Sequence, residues 1–296
     1  MKTMMRNIFL PLLFVILTAL AAQAAPLQIF VSVLPQKYIV ERIGGNEVAV
    51  SVMVGPGRSP ATYEPTPKQM ATLATAAVYF RIGVAFETVW MERIRSNNPD
   101  LRIIDLREGI TLRAIESHHH PGHDHHDEEK GQGLKDPHIW TSPLLVQVMA
   151  GKVLSVLAAL NPEAEETYRR NYQALISDLE SLDRDIRTKL APLKNRRFLI
   201  FHPSMGYFAD TYGLQQVPIE MEGKEPGART LARLIDDARA QNVRVIFVQE
   251  QFSRRLAENI ARSIDATVIA IDPLAEDYPA NMRHIADVFA AAMEKK

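Results

Sequence analysis

The feature that most constrains this chain is a long amphipathic segment near its centre. The segment starts at Asn161-Pro162, which places a capping side chain before a proline at the first helical position. Apolar residues then recur at steps of three and four, at Tyr168, Tyr172, Leu175, Leu179, Leu182, Ile186 and Leu190. Such a stripe predicts a single helix, and about 29 residues at about 1.5 Å each would span roughly 44 Å. We interpret this helix as a strut that crosses two domains rather than as the core helix of one.

On both sides of this helix, strand-like runs alternate with helical stretches. Before it, the runs rich in apolar and β-branched residues are 27–34, 48–54, 78–82 and 101–106. After it, they are 198–201, 214–219, 243–248 and 267–271. Strands that alternate with helices form parallel sheets, so the sequence predicts an α/β fold with one parallel-sheet lobe on each side of the helix.

The first 24 residues have the pattern of a secretory signal peptide. Lys2 and Arg6 give a positive start, residues 8–22 are almost entirely apolar, and Ala22-Gln23-Ala24 matches a small-x-small cleavage site. The apolar run is short for a membrane-spanning helix and is interrupted by Pro11. We therefore expect cleavage after Ala24 and export of the mature chain.

The expected mature chain divides into an N-terminal lobe at 25–160, a linking helix at 161–191 and a C-terminal lobe at 192–296. Its formal net charge falls from -1 to -3 because cleavage removes two positive and no negative side chains. That balance provides no basic surface for nucleic acid. No other stretch approaches membrane-spanning length, and we expect a soluble monomer.

The absence of cysteine narrows the location and the kind of site. It excludes disulfides, a thiolate metal site and a lipid-modified cysteine after the signal peptide. The periplasm of a Gram-negative cell is the compartment that fits best.

A segment at 116–133 differs from the rest of the chain in composition. It holds six of the nine histidines, namely His118, His119, His120, His123, His125 and His126. Carboxylates such as Asp124 and Glu128 lie among them, and almost no apolar residue is present to order the segment. Imidazole and carboxylate bind borderline divalent metals, zinc first among them. We interpret the segment as a loop for auxiliary metal capture, and a solvated surface loop without a specific role is the alternative.

Two further histidines and an aspartate are candidates for a main metal site. His202 and Asp272 each come after a predicted strand, and ligands of α/β sheets collect at the carboxyl ends of strands. His138 lies in the first half, just before a helix. These three side chains could hold a divalent metal in a cleft between the lobes. From spacing alone, each could equally be an ordinary core or surface residue.

Four motifs carry a resemblance to a known family: residues 57–67 (GRSPATYEPTP), 136–140 (DPHIW), 202–208 (HPSMGYF) and 271–274 (IDPL). Three shorter stretches also match: Ile219-Glu220, 223–226 and 249–253. Over essentially its whole mature length, the chain resembles the metal-specific solute-binding proteins of ABC importers, the zinc and manganese periplasmic binding family.

This resemblance implies two α/β lobes joined by one long rigid helix, with the metal held between the lobes by three histidines and a carboxylate. It places His138, His202 and Asp272 on ligand positions. It also implies an ABC permease in the inner membrane as partner, and an acidic histidine-rich loop in many zinc-handling members. Because imidazole ligands favour zinc over manganese, Zn²⁺ is the expected ligand, ahead of Mn²⁺.

One position departs from the family pattern. The family's first histidine precedes the Thr-Tyr-Glu-Pro run, where this chain has Ala61. Three protein ligands would leave zinc with an open position. A histidine of the 118–126 segment could fill it, Glu64 could swing across, or the site could stay open. We favour the histidine segment because it holds six candidates and a short tether joins it to His138.

The expected function is capture of a divalent metal, zinc ahead of manganese, and its delivery to an ABC permease without catalysis. Affinity is expected to fall at low pH, because His138 and His202 must be neutral to bind. The alternatives are a periplasmic zinc buffer or chaperone without a permease, and a zinc hydrolase with Glu64 as general base. We expect Glu220 to lie on a solvated edge of the second lobe, with a surface that docks on a permease as the alternative. We expect His284 on a helix surface.

Overall fold

The computed structural model describes residues 25–115, 135–220 and 224–294. The expected signal peptide at 1–24 and the histidine-rich segment at 116–133 lie outside these residues, so the predictions made for both remain predictions.

The first lobe is built on a four-stranded sheet. Its strands are β1 (Leu27–Val31), β2 (Val48–Val52), β3 (Val78–Arg81) and β4 (Arg102–Asp105). All pairings are parallel, in the order β2-β1-β3-β4. Its helices are α1 (Leu34–Gly44), α2 (Pro67–Leu73) and α3 (Ala85–Asn97). The two central strands are the most apolar and the most buried, as expected for a parallel sheet covered on both faces.

The second lobe repeats this arrangement. Its strands are β5 (Arg197–Ile200), β6 (Gln215–Pro218), β7 (Val245–Gln249) and β8 (Thr267–Ile271). They too are parallel, in the order β6-β5-β7-β8. Its helices are α6 (Gly206–Tyr212), α7 (Ala228–Ala240), α8 (Arg254–Ile264) and α9 (Tyr278–Met293). Two parallel-sheet lobes are confirmed, and each sheet places its first strand between the second and the third.

In chain order, two long helices separate the strands of the first sheet from those of the second: α4 (Pro143–Leu160) and α5 (Glu165–Leu190). A separate 3₁₀ turn at Pro162–Ala164 precedes α5, so the long helix has 26 residues rather than the expected 29 or so. Its length is therefore about 39 Å. It packs against α1 and α4 on one side and against α6 and α9 on the other, which joins the two lobes as the apolar stripe predicted.

Polar contacts add to the buried stripe of α5. Asn171 donates to the carbonyl oxygen of Ile43 at the end of α1, at 3.0 Å. Arg283 of α9 pairs with Asp185 of α5, also at 3.0 Å. Exposed ion pairs each contribute little to stability, so the apolar face of α5 does most to hold the lobes together.

Helix α4 corrects the expectation that no stretch after the signal peptide approaches membrane-spanning length. Within the described ranges, it is the one helix that by length and composition could cross a membrane. In the fold it packs against α1 and α5 and buries Val146, Met149 and Leu157. The composition of a core helix therefore imitates that of a membrane span, although Leu144 and Val148 stay exposed.

A continuous hydrophobic core runs through the first lobe, α5 and the inner part of the second lobe. At its second-lobe end, the ring of Phe289 stacks on Phe247 at 4.0 Å and meets Phe198 edge-on at 4.8 Å. A smaller core lies between the second sheet and helices α7 and α8. The shared core sets how the carboxyl ends of the two sheets face one another.

Candidate metal site

His138 and His202, which belong to different lobes, meet in the structure. Their Nε2 atoms lie 3.3 Å apart, and their rings cross at 77° with centroids 5.1 Å apart. His138 precedes a 3₁₀ turn, Ile139–Thr141, that leads into α4. His202 follows the carboxyl end of β5. The fold thus brings together two imidazoles that are 64 residues apart in the chain.

A buried carboxylate orients the ring of His138. Oδ1 of Asp136 lies 2.7 Å from Nδ1 of His138 and also accepts the backbone N–H of His138 at 2.9 Å. Because a carboxylate only accepts hydrogen bonds, Nδ1 carries the ring proton and Nε2 presents its lone pair. Asp136 is 1% exposed, so this orientation is protected from water.

Glu220 plays the same part for His202. Its Oε1 lies 2.5 Å from Nδ1 of His202. The expectation that Glu220 lies on a solvated edge is wrong, because this residue is 2% exposed. The backbone N–H groups of Ile219 and Glu220 donate to Ile200 and Phe201, which continues the β5–β6 pairing and carries Glu220 to His202.

The same rule that singled out His202 could have found Glu220. Both residues follow neighbouring parallel strands at their carboxyl ends, where ligand-binding side chains gather. The matching Ile219-Glu220 pair was visible in the sequence, but nothing local marked its carboxylate as buried.

Burial lowers the pKa of His202 below its ordinary value of 6.5, and the hydrogen bond with Glu220 opposes this shift only in part. At neutral pH the imidazole is therefore uncharged, as coordination requires. The ring of Phe252 stacks on His202 at 5.1 Å, and Trp140 packs edge-on against His138 at 5.2 Å. Each imidazole therefore packs against one aromatic ring.

Gln249, at the end of β7, fixes the backbone that carries His202. Its side-chain amide donates to the carbonyl oxygen of His202 at 2.6 Å and to the hydroxyl of Ser204 at 2.7 Å. Its side-chain oxygen accepts the backbone N–H of His202 at 3.2 Å. The 249–253 match in the sequence therefore includes a residue that positions a candidate ligand.

Asp272 lies after the end of β8, as predicted. Its Oδ1 accepts from the backbone of Leu274 and from the side chain of Gln251, each at 3.0 Å. Among described residues, none donates a hydrogen bond to Oδ2. The neighbouring Pro273 accepts the indole N–H of Trp140 at 2.9 Å, which links this loop to the turn after His138.

The full constellation is not assembled. Over 25–115, 135–220 and 224–294, no three His, Asp or Glu side chains form a group able to hold a metal ion. The structure brings His138 to His202, and the participation of Asp272 stays a prediction.

The position of the missing family histidine lies on an exposed loop. Ala61 and Glu64 are both exposed there. Phe86 anchors this loop, since its backbone N–H donates to Pro60 at 3.2 Å and its ring meets Tyr63 at 5.5 Å.

The six histidines at 118–126 lie outside the described residues, but the base of their segment is described. An isolated antiparallel bridge joins Ala114 to Lys135, and the backbone N–H of Asp136 donates to Arg113 at 3.0 Å. The described chain resumes at Lys135, three residues before His138. His284 is exposed on α9, as expected.

Tyr207, on α6 of the second lobe, also contacts the first lobe at this point. Its hydroxyl donates to the backbone carbonyl of Asp136 at 2.9 Å. Burial raises the pKa of Tyr207 to about 12, so the hydroxyl keeps its proton and remains a donor at neutral pH.

Fold and site together define a two-lobe protein that presents a pair of oriented histidines where the carboxyl ends of two parallel sheets face each other. The model of one protein family, described as zinc-uptake complex component A, periplasmic (ZnuA), matches residues 29–292. The chain belongs to this family, which confirms the resemblance seen in its motifs.

Solved structures agree with this assignment. A crystal structure of ZnuA is 40% identical, covers 90% of this chain and 99% of its own, and superposes with a TM-score of 0.82. A zinc-bound deletion mutant of ZnuA is 39% identical, covers 92% and 99%, and has a TM-score of 0.84. The high-affinity zinc uptake system protein ZnuA of Bacillus subtilis (strain 168) is 28% identical over 244 residues, 81% of this chain and 76% of its own.

Proposed function

We propose that this protein captures one zinc ion between its two lobes and delivers it to an ABC permease. His138 and His202 are the first two ligands and Asp272 the third. Capture and release require no bond to be made or broken in a substrate, so the activity is transport and not catalysis.

The observation that carries this proposal is the 3.3 Å between the two Nε2 atoms. Two nitrogens bound at about 2.0–2.1 Å to a tetrahedral zinc lie about 3.3–3.4 Å apart. Asp136 and Glu220 turn both Nε2 lone pairs toward the space between the lobes, as carboxylates commonly do for histidines that bind zinc. The pair is therefore spaced and protonated for coordination.

The choice of zinc over manganese rests on chemistry and on relatives. Imidazole suits zinc, whereas manganese prefers a larger share of oxygen ligands. The ZnuA deletion mutant that is 39% identical to this chain has zinc bound.

Two observations support Asp272 as the third ligand. No described residue donates a hydrogen bond to its Oδ2, and the Trp140–Pro273 hydrogen bond keeps its loop beside the turn of His138. In this proposal, a movement of this loop or of the second lobe brings the carboxylate to the histidine pair when zinc binds.

For the fourth position we propose a histidine from the 118–126 segment. The bridge between Ala114 and Lys135 joins the described residues that flank this segment, and Lys135 is three residues before His138 in the chain. Ala61 has no donor atom, and the exposed Glu64 belongs to a different loop.

We propose the periplasm as the location, with a cleaved signal peptide at 1–24 and a monomeric mature protein. In this proposal, residues 25–160 and 192–296 act as the two lobes and residues 161–191 as their link. The buffer alternative differs only in lacking a permease, so transport into membrane vesicles that contain the cognate permease would separate the two.

The direct test is titration of metal-stripped protein with zinc by calorimetry at neutral pH. We expect one tight site that His202→Ala abolishes and that His284→Ala, on the exposed surface of α9, leaves unchanged. Crystals grown with zinc should give an anomalous peak beside His138, His202 and Asp272. Absence of tight binding, or a peak elsewhere, would overturn the proposal.

A further inference from the structure

Arg113 lies where the first lobe meets α6 of the second. Its Nε is 3.1 Å from Oδ2 of Asp210, and its Nη1 is 3.5 Å from Oδ2 of Asp136. Its guanidinium carbon lies 5.8 Å from the ring centre of Tyr207. Since Tyr207 and Asp210 belong to α6, one side chain of the first lobe contacts carboxylates of both lobes.

The backbone of the same residue adds a second link. The N–H of Arg113 donates to the hydroxyl of Tyr207 at 3.2 Å, and that hydroxyl donates to the carbonyl of Asp136 at 2.9 Å. Asp136 is therefore contacted from both lobes on one side, while its Oδ1 holds the ring of His138 at 2.7 Å.

Gly206, the first residue of α6, makes this approach possible. A Cβ at this position would lie 1.4 Å from Nη1 of Arg113 and 2.9 Å from Oδ2 of Asp136. Any larger residue would have to displace the guanidinium. The glycine in the 202–208 motif thus leaves room for contact between the lobes.

Charge explains why an arginine is needed here. Asp136 is 1% exposed, and a buried carboxylate is costly unless it is paired and hydrogen-bonded. The planar guanidinium pairs with Asp136 through Nη1 and with Asp210 through Nε, the second as an ion pair without hydrogen-bond geometry, and an ammonium group cannot place two nitrogens in this way.

We propose that Arg113 is a positioning residue for metal capture, which keeps Asp136 and the His138 ring in register with α6 of the opposite lobe. This inference rests on the proposed function, because it takes the histidine pair as the metal site. In this role Arg113 acts through Asp136.

The sharpest variant is Asp210→Asn, because Asp210 is 59% exposed and its amide isostere leaves the rest of the link in place. We expect zinc affinity to fall about threefold to tenfold, with faster dissociation and an unchanged melting temperature of the metal-free protein. Asp185→Asn is the matched control, since Asp185 is 51% exposed and pairs with Arg283 at 3.0 Å away from the site.

Two further variants test the arginine itself. Arg113→Lys keeps the positive charge but loses the planar guanidinium. Gly206→Ala keeps Arg113 but displaces its guanidinium. Both should weaken zinc binding, and adding Asp210→Asn to Arg113→Lys should change little more, because the two residues act on one contact.

A second readout needs no zinc. The chain has no cysteine, so Val89→Cys on α3 and Glu258→Cys on α8 give one spin label in each lobe. In the metal-free protein, we expect Asp210→Asn and Arg113→Lys to broaden the distance distribution between the labels, and Asp185→Asn to leave it narrow.

The two readouts separate the possible failures. If wild-type protein binds zinc but the Asp210 and Arg113 variants match the Asp185 control in both measurements, the role of Arg113 is refuted and the proposed function stands. If wild-type protein does not bind zinc, the proposed function fails, and with it the role of Arg113 in metal capture.

Discussion

Trp140 of the first lobe donates its indole N–H to the carbonyl oxygen of Pro273 in the second lobe, at 2.9 Å. Trp140 lies two residues after His138, and Pro273 directly follows Asp272. This one hydrogen bond therefore ties together the two loops that carry the first and third proposed ligands.

Trp140→Phe removes the donor and leaves the carbonyl of Pro273 without its partner. We expect a loss of roughly 2–3 kcal/mol in the free energy of unfolding, measured by urea denaturation, from the lost hydrogen bond and the smaller ring. Zinc affinity should fall as well, because the loop of Asp272 is released. Trp90→Phe, at a half-buried position on α3, is the control and should cost less in both measurements.

Glu220→Ala removes the acceptor of the His202 ring proton. Loss of such a partner typically weakens metal affinity about 10- to 100-fold, and we expect calorimetry to find a value in this range. Glu220→Gln should lose less, because its side-chain oxygen can still accept from Nδ1. An equal loss for the exposed Glu225→Gln would argue against a specific role for Glu220.

The lowered pKa of His202 predicts a pH dependence of stability in the metal-free protein. Unfolded, the imidazole has its ordinary pKa of 6.5, whereas burial in the folded state lowers it. Below pH 6.5 the unfolded chain therefore binds more protons than the folded one, and the free energy of unfolding falls as pH drops.

His202→Gln removes this contribution while other titrating groups remain. The stability of wild type relative to the variant should decline between pH 7.5 and pH 5, with a slope of at most about 1.4 kcal/mol per pH unit for one proton. Urea denaturation of metal-stripped protein across this range gives the measurement. If the difference in free energy of unfolding between wild type and variant stayed constant across this pH range, burial would not lower the pKa of His202.

Replacing the six histidines at 118–126 with glutamine tests the fourth ligand and keeps the length of the segment. We expect both the affinity of the tight site and the total number of zinc ions bound to fall, as measured by calorimetry. Glu64→Gln is the parallel variant and should change neither. If the tight site keeps its affinity when the histidines are gone, the fourth position is not filled by this segment.

Much of the architecture was predictable because it depends on local patterns. The alternation of β-branched runs and helical stretches indicated both parallel sheets, and the stripe from Tyr168 to Leu190 indicated the helix that joins them. His202 and Asp272 could be singled out as candidates because each follows a strand.

Other parts of the site had no local pattern. Glu220 follows a strand as His202 does, but nothing local marked its carboxylate as buried, and Arg113 looks like an ordinary surface charge; their roles depend on partners 18 and 23 residues away. The composition of α4 was likewise ambiguous, because a helix buried on one face and a membrane span can share the same residues.

The sequence by itself determined the order and the approximate positions of the strands and helices, since periodicity, capping and β-branching act over a few neighbouring residues. Only the tertiary structure decided which side chains meet: His138 faces His202, Asp136 and Glu220 orient their rings, and Trp140 reaches Pro273. The physical reason is that these contacts depend on how α5 and the shared core place one lobe against the other. That placement is a sum of many packing contacts distant in the chain, and no short stretch of sequence contains it.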